Sequence, residues 1–172
     1  MTRPAEPGPR LGGGRLRVDA ARAIVKLREY QLVERAAWVL EGIRAAVASP
    51  ATAITLRGDA NDIWLSWCGE PWPVEDLTRL FDELVSPEAA SERHHVRLLA
   101  AAVNSGLGLA PAYIDVIAIE DHTALRVRYT PDVLEDFSGE LADSALRKLT
   151  TEAIPVPEGA QRGMRVHLRR RA

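Results

Sequence analysis

Glu41 is the first side chain in this sequence with the makings of a catalyst. It lies in LEGIRAAVAS, residues 40–49, where apolar residues recur at helical spacing. A carboxylate there acts as a general base if a water or substrate is held beside it. The residues sharing its helix face further on are Ala45 and Ala48, which offer only methyl groups. The plain alternative is an ion pair with Arg44 or Arg97. His94-His95 has no third ligand at metal spacing, and Cys68 has no base nearby, so it reads as a packed thiol. Trp64, Trp67 and Trp72 cluster tightly with alternating facing. They read as core or pocket filling, with Trp64 and Trp72 as candidates for binding a partner, because tryptophan is enriched at interface hot spots. Arg169-Arg170-Arg171 could touch nucleic acid, but a solvated basic tail fits the acidic remainder better.

Elements must position these groups, and bulk composition bounds what they build. The chain has 172 residues, 47% hydrophobic and 27% charged, with a net charge of −2. That suits one soluble domain with a real core and gives no global field to recruit nucleic acid or membranes. A single cysteine excludes an internal disulfide and suits a reducing, cytoplasmic setting. No apolar run approaches the roughly 18 residues of a membrane span. Residues 1–14, rich in proline and glycine, read as a disordered leader, 15–169 as the domain and 170–172 as a basic tail.

RLRVD (15–19) reads as a short edge strand and 20–32 as a helix with Ala23, Ile24, Leu27 and Tyr30 on one face. A second helix over 33–48 is expected to bury Ala36, Ala37, Leu40, Ile43, Ala46 and Val47, stopped by Ser49-Pro50. Runs at 53–57 and 62–67 flank a turn-rich GDAN and predict a hairpin. VEDLTRLFDELV (74–85) predicts an amphipathic helix and 94–103 another, followed by a glycine-containing break, NSGLGLAP. YIDVIAIE, ALRVRYT and MRVHLRR predict strands, with a charged, partly helical segment over 132–152. The expected fold is α+β: a two-layer sandwich with helices on one face of a mixed β-sheet.

This order, with several local spellings, resembles the GHKL ATPase fold shared by gyrase, histidine kinases, mismatch-repair proteins and heat shock protein 90, most closely the last in its bacterial forms. Those open with a strand ending in Val-Asp, as Val18-Asp19 does, and carry a motif glutamate 22 positions later, here Glu41. In the family that glutamate activates water, and an asparagine one turn on holds Mg²⁺. The resemblance puts Ala45 at the asparagine and Ala48 at a following aspartate, and a methyl cannot ligate a hard cation. The family's adenine-binding aspartate falls on Trp67, or on Cys68 after a one-residue shift, with Gly69 as the retained motif glycine. The phosphate-binding glycines fall within LLAAAV, which has none; Ser105-Gly106-Leu107-Gly108 could serve instead if the preceding helix is shortened. A Gly-Thr before the last strand becomes Gly163-Met164.

The resemblance therefore implies a decayed ATP site. Each polar loss weakens nucleotide binding by about 1–3 kcal/mol, and several exceed the ~8 kcal/mol of a micromolar binder. The expectation is a non-catalytic protein-interaction or regulatory module with no cofactor. Its partner would be a protein, whether an intact GHKL protein or a second copy of itself. The alternative is a chaperone-type ATPase domain that binds ATP with Mg²⁺ in a remodelled pocket.

Overall fold

The computed structural model describes residues 20–31, 37–85, 93–134, 149 and 151–171. The expected strand at 15–19 and most of the 132–152 segment lie outside them. Five helices and six strands follow one another as α1 (Ala20–Gln31), α2 (Ala37–Ala48), β1 (Ala53–Gly58), β2 (Asp62–Cys68), α3 (Val74–Thr78), α4 (Asp82–Val85), α5 (His94–Leu107), β3 (Tyr113–Ile119), β4 (Ala124–Tyr129), β5 (Thr151–Ile154) and β6 (Gly163–Arg169), with a 3-10 turn at Pro131–Leu134. The class is α+β. Strands are ordered β1-β2-β6-β3-β4-β5, and every described pairing is antiparallel rather than mixed.

The hairpin forms where turn chemistry requires it. Asp59 Oδ1 accepts the N–H groups of Asn61 and Asp62 at 2.8 and 2.9 Å, an Asx turn that lets the chain reverse. Those two backbone donors hold the Asp59 carboxyl below the usual aspartate range. The last strand, β6, inserts between β2 and β3. Its alternation sends Met164, Val166 and Leu168 into the core, and Arg165, His167 and Arg169 to the opposite face.

Helix α2 turns a different face inward from the one its bulky apolar residues predict. Trp38, Gly42, Ala45 and Ala46 are buried, while Leu40 is 56% and Val47 66% exposed. Small residues decide this. The helix lies so close on β2 that a Cβ at Gly42 would stand 2.5 Å from Leu65 Cδ2 and 4.0 Å from the Ala102 Cβ of α5. Helix α1 likewise buries Ile24 and leaves Leu27 exposed. It is held by Asn104, whose Nδ2 donates to the Ile24 carbonyl at 3.1 Å and whose Oδ1 accepts from Arg28 Nε at 3.2 Å.

Three further expectations are corrected. The 74–85 helix is broken into α3 and α4. The buried Tyr129 hydroxyl donates to the Leu77 carbonyl, and the chain closes with tighter bonds such as Asp82 N–H to Arg79 O at 3.0 Å. Helix α5 runs to Leu107, past the predicted end at 103, and absorbs Asn104, Ser105 and Gly106. Strand β5 begins at the last two residues of the segment read as charged and partly helical and runs past it to Ile154: Arg126 pairs with Glu152 across the edge.

Candidate functional site

On the helix-bearing side, Glu41 is partly buried and its Oε1 accepts from Arg44 Nη1 at 2.9 Å, one helix turn away. Ala45 is buried, and Ala48 is exposed. Trp67 ends the inward-facing set of β2, 2% exposed, and meets Trp72 edge-to-face at 5.9 Å. Trp72 in turn meets His95 edge-to-face at 4.7 Å, and its backbone N–H points at Met164 Sδ, 3.3 Å away. Burial pushes the His95 imidazole below the usual histidine range, so near neutrality it packs as an uncharged ring. Trp72 thus lies in the core rather than on a partner-facing surface. The Trp67 indole N–H is buried without a hydrogen-bond partner among the described residues.

Ser105 and Gly106 lie in the last turn of α5, both buried, and Gly108 caps it. Within an α-helix their backbone N–H groups are spent on carbonyls four residues back. The helix has not shortened to free them. A Cβ on Gly106 would stand 2.8 Å from Ile114 Cδ1, so glycine there lets α5 lie on β3. Gly163 sits at φ +145° with its α-carbon against the Trp67 carbonyl and the backbone of Cys68 and Gly69. Gly69 itself is partly exposed. Glycines that the resemblance associates with a phosphate site therefore have packing reasons of their own.

The outward face of the sheet differs in kind. Strand register sets its side chains in rows. Arg57, Trp64, His167, Asp115 and Arg128 form one, and Thr55, Ser66, Arg165, Ile117, Arg126 and Glu152 form the next. Trp64 stacks on His167 at 5.1 Å and 12°. His167 Nε2 is 2.6 Å from Asp62 Oδ1, and Arg169 closes on the other oxygen of that carboxylate. Arg128 grips Asp115 with two bonds of 2.7 and 2.8 Å and covers the Tyr113 ring at 3.8 Å. Arg169 therefore belongs to the sheet rather than to a tail, and the Arg170 N–H donates to the Asn61 carbonyl at 2.7 Å.

A cavity of about 520 Å³ opens on this face, under the loop that joins β5 to β6. Arg57, Trp64, Ser66 and Arg165 line its sheet side, and Glu158 to Gln161 line the other. Arg165 Nε donates to Ser66 Oγ at 3.1 Å. Cys68, the packed thiol expected from sequence, donates its S–H to Gln161 Oε1 at 2.7 Å. A second cavity at the other end of the sheet lies among Trp38, Leu109, Leu168 and Arg170. Neither is lined by Glu41, Ala45 or Ala48. Among the described residues no group of three His, Cys, Asp or Glu side chains is placed to hold a metal ion, and no helix is long and apolar enough to cross a membrane.

The arginine pair was not singled out by sequence reasoning. The signal was present as alternating basic residues in the β6 run and one arginine in β1, but only the register of three strands brings Arg57 and Arg165 to one cavity. No protein-family model matches the chain, and no curated protein matches it significantly.

Proposed function

We propose that this chain is a GHKL-like domain that has given up its nucleotide site and works as a non-catalytic protein-interaction module. The observation that carries this reading is the burial of Trp67, locked edge-to-face with Trp72 at the position where the resemblance puts the adenine-binding carboxylate. An indole donates a hydrogen bond and accepts none, so it cannot replace a carboxylate toward an amino group. The other positions agree. Buried Ala45 presents a methyl where a Mg²⁺ ligand belongs, Glu41 is engaged by Arg44, and the amides of Ser105 and Gly106 are used within α5. Mg-ATP does not fit these residues.

What supports a protein partner is α2, which is apolar on both sides. Its small face packs inward and Leu40 and Val47 stand exposed, as do Ile54 and Leu56, 37% and 51% exposed, on β1, an edge strand of the sheet formed by the described residues. Edge strands with apolar side chains are sites where another chain adds. Calorimetry with Mg-ATP tests the reading. Only weak, Mg-independent heats are expected, and Mg-dependent saturation at micromolar nucleotide would overturn it in favour of an ATPase domain.

A further inference from the structure

The bare face of the sheet holds five described arginines, at 57, 126, 128, 165 and 169, against three carboxylates, Asp62, Asp115 and Glu152. Each carboxylate is already taken. Asp62 is held by His167 and Arg169, Asp115 by Arg128 and Arg126, and Glu152 by Arg126. Arg57 and Arg165 form no ion pair with any described residue, and both line the same cavity. Arg57 stands opposite Trp64 and Arg165 opposite Ser66 on the two sides of β2, so the two side chains flank one strand and line one cavity. Burial and the Arg57 charge both press the Arg165 guanidinium below the ordinary arginine range. Two like charges drawn together over a half-buried floor are the arrangement a bound anion relieves.

We infer that this cavity is a binding site for a small phosphate monoester, with Arg57 and Arg165 clamping the phosphoryl oxygens. The shape of the donor set selects that class. Two planar guanidiniums, each able to give two parallel N–H bonds, match tetrahedral oxyanions. The Ser66 and Thr55 hydroxyls add further donors beside them. A dianion balances both charges, where a single carboxylate balances one. Trp64, Trp67, Cys68, Ile119, Met164 and the Ala160 segment complete the lining and give the ester's organic group an apolar surface. A volume of about 520 Å³ lies within the range of small-molecule sites. Glu158, exposed at the rim, forms no ion pair with either arginine and leaves the mouth open to an anion. Trp67, Cys68 and Met164 also border this cavity, but its clamp is Arg57 and Arg165, neither of which the resemblance assigns to a nucleotide, so it stands whether or not that reading holds.

The test is a titration of the full chain with phenyl phosphate at pH 7.5, followed by ¹H–¹⁵N spectra. Saturable shifts are expected at the Trp64 indole N–H and the Arg165 Nε–H, with inorganic phosphate binding more weakly for want of the apolar contact. R57Q and R165Q should each weaken binding at least tenfold, and R126Q, which alters an arginine already paired on the same face, should leave it unchanged. Affinity should fall as pH drops below about 6, where the monoester loses its second charge. If R165Q does not fold, R57Q on the exposed edge strand carries the comparison. Absence of saturation up to about 10 mM, or equal binding by R57Q and wild type, would overturn the site. A phosphoserine peptide binding more tightly than phenyl phosphate would overturn its assignment to a small molecule.

Discussion

The two faces of one sheet carry opposite solutions to the same problem of what to do with polar groups. The helix-bearing face is dry and filled: small residues let α2 and α5 close down, and Trp67, Trp72 and His95 pack edge-to-face over the end of β2. The bare face keeps its charges in a lattice of ion pairs and then leaves two arginines out of it, beside a cavity. On the function proposed above, the helix-bearing face offers no groups that would bind a nucleotide, while the other face has a surplus of donors.

Substitutions break this contrast in graded ways. Replacing Trp67 with alanine empties the largest part of the filled side and should cost about 3–5 kcal/mol, read as a lower urea midpoint at unchanged m-value. Gly42→Ala should cost about 1–3 kcal/mol, because its Cβ meets the end of the fully buried Leu65 at 2.5 Å and that side chain must repack. On the outward surface of α2, L40E with V47E should change stability by less than about 1 kcal/mol but abolish any partner that co-purifies with the wild type. Glu41→Ala should move stability by only about 0.2–0.5 kcal/mol, since it removes one exposed pair with Arg44. A loss several times larger would mean that Glu41 supports something beyond that pair.

Acid should probe the filled side as well. His95 titrates below its unfolded value because burial disfavours its charge. The unfolded chain therefore binds more protons as pH falls through about 6.5, and stability rises with pH across that window. The contribution is complete above the unfolded pKa and is lost on acidification toward the folded one. Melting curves from pH 7.5 to 5.5 should show a falling Tm, flattened in His95→Phe; identical slopes in the two proteins would contradict the role assigned to this ring.

Much of the architecture was legible because periodicity reports burial. The hairpin, both outer helices and strands β3, β4 and β6 stand where alternation or helical spacing put them. The errors share a cause. In α2, hydrophobic size pointed to Leu40 and Val47, whereas close packing on β2 selected Gly42 and Ala45 beside the expected Ala46, a tertiary demand that local pattern does not carry. The same demand extended α5 through Gly106, which reads locally as a breaker. Strand β5 is short, exposed and polar, held by an edge partner that the sequence places more than twenty residues away. At the sites, the alanines following Glu41 and the tryptophans were visible as residue types. The pairing of Arg57 with Arg165 was not, because it depends on the order β1-β2-β6, in which the last strand joins the first two.

The most direct test of the contrast is a single titration with Mg-ATP that watches all indole N–H resonances together. If the helix-bearing face is closed, the Trp72 signal stays fixed throughout, and any response from the phosphate groups is confined to Trp64 and Trp67, which line the cavity with Arg57 and Arg165. Saturable, Mg-dependent shifts of Trp72 at micromolar nucleotide would contradict the account, since no nucleotide can reach that ring without displacing the core it packs in.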